Sequence, residues 1–422
     1  MTIGHRIKSS IRLDADLPSE LEEETRKVRK RDRIAALERA LEYLLDDVQF
    51  YEITQDRFKQ DSECLFTIAI PDEMMPLIGK IEAGCKTLGE ICDGDITEGD
   101  TKREEERHVI DAADYEELSE GEKSTYDRVL KGVNVKRYIV DWGELYIKGL
   151  SQTSEEPRLL IKDYSKKPTV AYEDEKFRCL RTVYCAYPKD SLLSQKYMLG
   201  LLNSTLLHFH YLAYFYTSRP GKGSFRFRTQ FLKRLPIKYV NGTPQERIIE
   251  HVEEVISTKK ELLNLMHKVA GFPDSYFKDA WAFETLMNKI KAQRLSKSYY
   301  KISESSLKPH YFRDIYNKEV FRISLATDEY VDFDSDEIAS YVLEVLKNMS
   351  RITKRELLQL KIPKYSNLVD LMSIYRRDRG KIVENKKAVK ELEKQIDDLV
   401  YKLYDIDFKE RRDIEEYLAR FR

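Results

Sequence analysis

From Ser191 to Gln245 the chain runs for 55 residues without one Asp or Glu. With 74 acidic residues in 422, a window of that length should hold about ten. Its first half, "YMLGLLNSTLLHFHYLAYFYTS" from Tyr197 to Ser218, has no charged side chain at all. Such a run must be covered, either by lipid or by the rest of the protein. It is long enough to cross a bilayer. However, Asn203, Ser204, Thr205, His208 and His210 occupy its centre, where polar groups would need partners in hydrocarbon. The run therefore predicts a buried helix over 197–216 inside a soluble domain. Burial does not account for the second half, where Arg219, Lys222, Arg226, Arg228, Lys233, Arg234 and Lys238 stand without a carboxylate. In "SFRFRTQFLKRLPIK" two Arg alternate with two Phe. On a strand, Phe225 and Phe227 would face the core while Arg226 and Arg228 point outward. The preceding "RPGKGS" is a Gly-rich loop that brings backbone N–H groups and Lys222 within reach of phosphates. A surface of this kind suits a polyanion. The competing explanation is a basic strand neutralised by acidic residues from elsewhere in the fold.

The whole chain is not basic. Its 73 Lys and Arg against 74 acids leave a net charge of −1, so any nucleic-acid site has to be local. The length allows two or three domains. Five cysteines (Cys64, Cys85, Cys92, Cys179, Cys185) include no Cys-x-x-Cys pair, which argues for reduced thiols and against a structural zinc. The first twenty residues lack the apolar core of a secretory signal, and with the thiols this predicts a cytoplasmic protein.

Local patterns divide the chain into five segments. Residues 1–62 read as a helical segment, with Ser19 and Glu22 at capping-box spacing and Ile34, Leu37, Leu41, Leu44 and Val48 on one stripe. Residues 63–244 carry short β-prone runs such as "YIVDWGELYIK" and "FRCLRTVYCAYP" around the uncharged helix. Residues 245–270 form a spacer helix with Ile248, Val252, Val255, Leu262 and Met266 at heptad positions and Lys259 as the one polar member. Residues 271–372 look like a mixed α/β module. Residues 373–422 repeat Tyr375, Ile382, Val389, Ile396 and Leu403 every seven, with Leu392 and Leu399 between. The heptad stripes require an apolar partner, either a domain surface or each other, as in a coiled coil. The fold class expected is α+β: a β-rich domain with an embedded helix, long flanking helices and a smaller C-terminal module.

Catalytic patterns are scarce. No Gly-x-Gly-x-x-Gly follows a strand, no Walker loop is present, and no His-x-Glu accompanies a Pro-Cys-x-x-Cys. His208 and His210 fall on different faces of a helix, which does not suit one metal. "DGDITEGDTKRE" has carboxylates near calcium-loop positions but Glu98 where glycine is needed. Asp174 and Lys176 make an isolated Asp-x-Lys. These observations predict no catalytic residue, no metal and no cofactor in this chain.

Four blocks in order, "LKGVNVKRYIVDW", "PRLLIKDYSKKPTVAYEDEKFRCLRTVYCAYP", "YMLGLLNSTLLHFHY" and "GSFRFRTQFLKRLPI", resemble the TaqI-like C-terminal specificity domain. This is the target-recognition part of restriction-modification enzymes, typically joined to an adenine-specific DNA methyltransferase. "EKQIDDLVYKLYDID" is similar to the helix that closes such chains. The resemblance implies double-stranded DNA as ligand, with Arg219, Lys222, Arg226, Arg228, Gln230, Lys233 and Arg234 against it. Lys136, Arg137 and Lys162 match the family's blocks and join them as weaker contacts. Its entry loop here, "ITEGDTKR", is more acidic than usual, which leaves Lys102 and Arg103 aside. The methyltransferase half should carry an Asn-Pro-Pro-Tyr-type loop, but this sequence contains no Pro-Pro dipeptide. The resemblance thus implies a specificity component acting with a methyltransferase or endonuclease subunit. S-adenosylmethionine and Mg2+ would belong to that partner, which the heptad helices would recruit. Two other readings stay open: a truncated methyltransferase or restriction enzyme that retains catalysis, and a helical interaction protein that does not bind DNA.

Overall fold

A computed structural model describes residues 70–99, 108–149, 156–215, 224–276, 283–303 and 307–419. The chain divides into two units, 1–73 and 74–422, and everything below concerns the second. The helical segment expected over 1–62, Cys64, the loop residues Lys102 and Arg103, and both Arg219 and Lys222 lie outside the described residues.

The second unit is α+β. Its first lobe is built on a four-stranded sheet of β1 (Ile96–Glu98), β2 (Arg158–Lys162), β3 (Val170–Glu173) and β4 (Val183–Ala186). The order is β1-β4-β2-β3 and every pairing is antiparallel. β2 and β4 are buried along nearly their whole length, which explains why they read as unbroken apolar runs and not as an alternation. One charged pair interrupts this core. Arg158 on β2 stands opposite Glu173 on β3 and donates to it at 2.8 Å, both being almost wholly covered. Arg158 also donates to Tyr187 Oη and to the carbonyl of Phe177, so its buried guanidinium is satisfied on several sides.

The uncharged run is buried as expected, but it is two helices and not one: α1 (Gln195–Leu202) and α2 (Thr205–Phe215). The break has an identifiable cause. Asn203 turns its amide onto the edge of β3, accepting from the backbone N of Val170 at 3.1 Å and donating to its carbonyl at 2.9 Å. It thereby supplies the hydrogen bonds that a further strand residue would have made. α2 restarts with Thr205 capped from outside by Asp397, which accepts from its backbone N at 2.7 Å and its Oγ1 at 2.6 Å. No described helix is long and apolar enough to cross a membrane. The chain leaves this lobe as α3 (Thr243–Ala270).

The second module is a four-stranded antiparallel sheet of β5 (Ile290–Arg294), β6 (Lys308–Arg313), β7 (Glu319–Ala326) and β8 (Glu329–Phe333), in the order β5-β8-β7-β6. Helix α4 (Asp336–Lys347), capped by Ser335, covers one face over a core that includes Ile323, Leu325, Val331 and Phe333. After this module comes the 39-residue helix α5 (Tyr365–Leu403). A break at Asp405, which takes a left-handed backbone (φ 57°), precedes α6 (Phe408–Ala419).

The structure buries the heptad stripes in a helix–helix pair and, at Ile248, Val252 and Ile396, against the domain helix α1 as well. α3 and α5 run antiparallel, tied by Lys259 to Glu393, Glu261 to Asn385 and Lys268 to Asp378. Ile248, Val252 and Val255 are buried, as are Val389, Leu392 and Ile396. The heptad description fails at both ends. Met266 is 42% exposed, and past Ile396 the buried position is Val400, with Leu399 only half-buried. A straight helix drifts from a seven-residue repeat, so the stripe wanders off the interface. α1 packs into this pair through Gly200. A Cβ there would lie 2.8 Å from Ile248 Cγ2 and 3.1 Å from Val252 Cγ2, both on stiff β-branched side chains. Gly200→Ala is therefore expected to destabilise the protein by about 1–3 kcal/mol through overpacking, read as a lowered midpoint in urea unfolding.

Candidate nucleic-acid interface

The strand expected around position 226 exists but is short. Phe225–Arg226 pairs antiparallel with Tyr164–Ser165, and Phe227 N extends the ladder by donating to the carbonyl of Asp163 at 2.8 Å. Alternation places the side chains as anticipated: Phe225 and Phe227 are fully buried, Arg226 is half-buried and Arg228 is exposed. Phe227 packs on the ring of Tyr211 with centroids 4.6 Å apart, and Tyr211 Oη donates to the carbonyl of Arg226 at 2.7 Å. The apolar run of α2 is thus the floor on which the basic strand lies.

Arg226 is not a free guanidinium. Its Nε donates to Asp163 Oδ1 at 3.2 Å, and the group lies 5.2 Å from the centre of the Tyr164 ring. Asp163 is nearly buried and also accepts from Tyr184 Oη at 2.9 Å. The fork expected to read a base is thus partly spent on the protein's own carboxylate. Arg228, by contrast, has no ion-pair partner among the described residues. It stands before the short helix Thr229–Leu232, on which Gln230 is exposed. Lys233 and Arg234 are half-buried just beyond; burial raises the carboxyl of Glu82, but His210, then Tyr214 and Arg234, outweigh it and hold it below its usual range.

The weaker contacts separate into two groups. Lys136 is exposed and pairs with Asp141 at 3.8 Å. Lys162 is half-buried at the end of β2, and partial burial followed by the charge of Lys136 pushes its ammonium below the usual lysine range. The like charge of Lys136 shows that the two lysines stand close to one another. Arg137 belongs elsewhere. Its Nε lies 3.5 Å from Glu393, and its carbonyl accepts from Lys259 at 3.1 Å. It faces the helix pair and not the outer surface, a correction to its place among the DNA contacts. The adjacent position in "NVKRY" turned the opposite way because residues 135–140 fold back on themselves through a Val135–Val140 bridge.

The positive field extends inward. The charge of Arg137 is the largest influence pushing Lys167 down, and burial followed by Lys167 and Arg137 pushes His208 down to about 3. His208 is therefore neutral and His210 bonds Glu82, so the two do not share a ligand. Among the described residues no group of three or more His, Cys, Asp or Glu is arranged to hold a metal. Cys92, Cys179 and Cys185 are buried. Burial pushes the thiol of Cys85 up to about 11 and that of Cys92 to about 12, which disfavours nucleophilic thiolates.

Two residues were missed in the sequence reading. Tyr164 is 41% exposed beside Arg226, and Asp163 pins that arginine. Both sit in "LIKDY", next to the lysine that was noticed. An aromatic after an acidic residue is a weak signal, and a pairing 63 residues apart leaves no local trace.

Residues 127–237 match the family model described as TaqI-like C-terminal specificity domain, a span that contains all four sequence blocks. Among solved structures, the S subunit of a Type-I restriction-modification system from M. genitalium is 14% identical over 73% of this chain and 93% of that one, with a TM-score of 0.38. The HsdS subunit from Thermoanaerobacter tengcongensis is 13% identical over 76% of this chain and 97% of that one, TM-score 0.28. The Type IIL restriction-modification enzyme MmeI, solved in complex with DNA, is 10% identical over 39% of this chain, TM-score 0.30, and the match spans 28% of that enzyme. No curated protein sequence matches. Lys162→Ala is expected to change stability by no more than about 0.5 kcal/mol, because it removes a charge from a repulsive cluster. The same variant should weaken duplex DNA binding, so a melting curve and a binding isotherm on one sample separate the two effects.

Proposed function

We propose that this chain, whose residues 127–237 form a TaqI-like C-terminal specificity domain, is the DNA-specificity component of a restriction-modification system. It directs a methyltransferase or endonuclease subunit to its site. The observation that carries this reading is the acid-free segment after α2, which keeps Arg228 and Gln230 exposed, with Lys162 nearby and without an ion-pair partner among the described residues. Lys136, Lys162 and Lys233 neutralise phosphates and set register. Arg228 offers a bidentate fork to guanine O6 and N7 in the major groove, and Gln230 an amide suited to adenine. Arg226 and Tyr164 act as a platform beneath them, because Arg226 is anchored to Asp163.

The partner subunit supplies methyl transfer or cleavage together with S-adenosylmethionine and Mg2+. The buried heptad residues are already spent between α3 and α5. A partner therefore meets what that pair leaves open, Met266 and Val383 beyond the Lys259–Glu393 contact. The buried thiols fit work in the cytoplasm.

Arg228→Ala is the discriminating test. Where Arg228 reads a base, its loss costs about 1–3 kcal/mol on the cognate site and relaxes one position in a binding-site selection. An equal loss on all sequences, with a log–log salt slope lower by about one, assigns it to phosphate. A wild-type slope near zero rejects DNA binding altogether. Arg226→Ala is a poor substitute, since it strands the buried Asp163.

A further inference from the structure

A second acid-poor stretch lies outside the specificity domain. Residues 285–313 hold seven Lys and Arg and one acid, Glu304, where the chain average predicts about five acids. Some of these cations are neutralised locally: Lys289 by Glu284, Lys291 by Asp314 and Asp334, and Arg313 by Glu319. Arg294 and Lys308 have no ion-pair partner among the described residues.

Strand register brings these two onto one row. Arg294 on β5 stands beside Tyr330 on β8, Tyr330 beside Ser324 on β7, and Ser324 beside Lys308 on β6. The next row on the same face is Ala292, Asp332, Arg322 and His310. This face is opposite the one that Ile323, Leu325, Val331 and Phe333 turn into the core, and Ala292, Arg294, Lys308 and His310 are all exposed. The one carboxylate in these two rows is already taken. Asp332 accepts from Arg322 Nε at 2.7 Å and from its second nitrogen at 2.8 Å. The guanidinium of Arg322 is stacked 3.5 Å from the Tyr330 ring centre and 4.8 Å from that of Phe312. The centre of the face is therefore neutral, aromatic and rigid, and the charge lies at its two edges. Three strand spacings separate Arg294 from Lys308, about 14 Å at the usual interstrand distance. That is close to the width of the B-DNA major groove, about 12 Å. Two cations so placed reach phosphates on opposite walls of one groove.

We propose that the open face of this second sheet is a DNA-backbone docking surface, gripping the same duplex that the specificity domain reads through phosphates flanking one groove. The proposal rests on the DNA-binding reading above but uses a different lobe and different residues. With contacts at two lobes, the bound protein covers more of the duplex than the specificity domain alone reaches, and the second contact is sequence-independent.

The test uses the full chain and a long random-sequence duplex, titrated at several salt concentrations. Replacing both cations, Arg294→Gln with Lys308→Gln, should lower the log–log salt slope by about 1.8 and weaken binding roughly tenfold or more at physiological salt. The charge-keeping pair Arg294→Lys with Lys308→Arg should hold the wild-type slope, which shows that lost charge and not lost folding is measured. An unchanged slope and affinity in the double Gln variant overturns the proposal. It is overturned equally if that variant keeps full DNA binding but loses a protein partner. The two ideas fail separately. If Lys162→Ala and Arg228→Ala abolish binding and the double variant does not, only this inference falls. If the double variant abolishes binding and the first pair has no effect, the specificity-domain reading falls and this surface stands.

Discussion

Asp397 on α5 accepts two hydrogen bonds from Thr205, 192 residues earlier, and so restarts the helix that floors the basic strand. One turn before it on α5, Glu393 receives Lys259 from α3 and faces Arg137 of the specificity domain. These two carboxylates join three parts of the chain that have no local reason to meet. Their electrostatics differ. Burial pushes Glu393 up, but Arg137 and Lys259 outweigh it and hold it below the usual range, while burial of Asp397 wins over its hydrogen bonds and raises it. Removing either partner of such a contact leaves an unpaired polar group in a covered place, which is why it is costly to lose.

This waist explains how the outer surface keeps its charge. Arg137 is drawn inward to Glu393, whereas Lys136 beside it stays exposed, near Lys162 and with Asp141 at 3.8 Å. The same division recurs at the strand, where Arg226 is held by Asp163 and Arg228 is left open. In each case one cation of an adjacent or alternating pair builds the scaffold and the other meets solvent. The second module repeats this logic, with Arg322 bound to Asp332 while Arg294 and Lys308 remain without ion-pair partners among the described residues.

Several features were legible without coordinates because they are local. The spacer helix expected over 245–270 runs from Thr243 to Ala270, and Ser335 caps α4 from the position just before it. Apolar spacing and a capping side chain act within a few residues, so a single chain records them. The Phe–Arg alternation predicted which side chains would be covered, for the same reason. The polar heptad residue Lys259 could be identified, but its partner Glu393 could not.

The amino-acid order by itself determined that residues 197–215 would be covered and that the basic segment after them would lie at a surface, because hydropathy and side-chain alternation are properties of neighbours along the chain. Only the tertiary structure decided that the covered run breaks at Asn203, that Arg137 and Arg226 are tied to carboxylates, and that Arg228, Lys162, Arg294 and Lys308 have no such partner among the described residues. Those outcomes depend on which distant group arrives within hydrogen-bonding distance, a matter of three-dimensional packing that leaves no periodicity in the sequence.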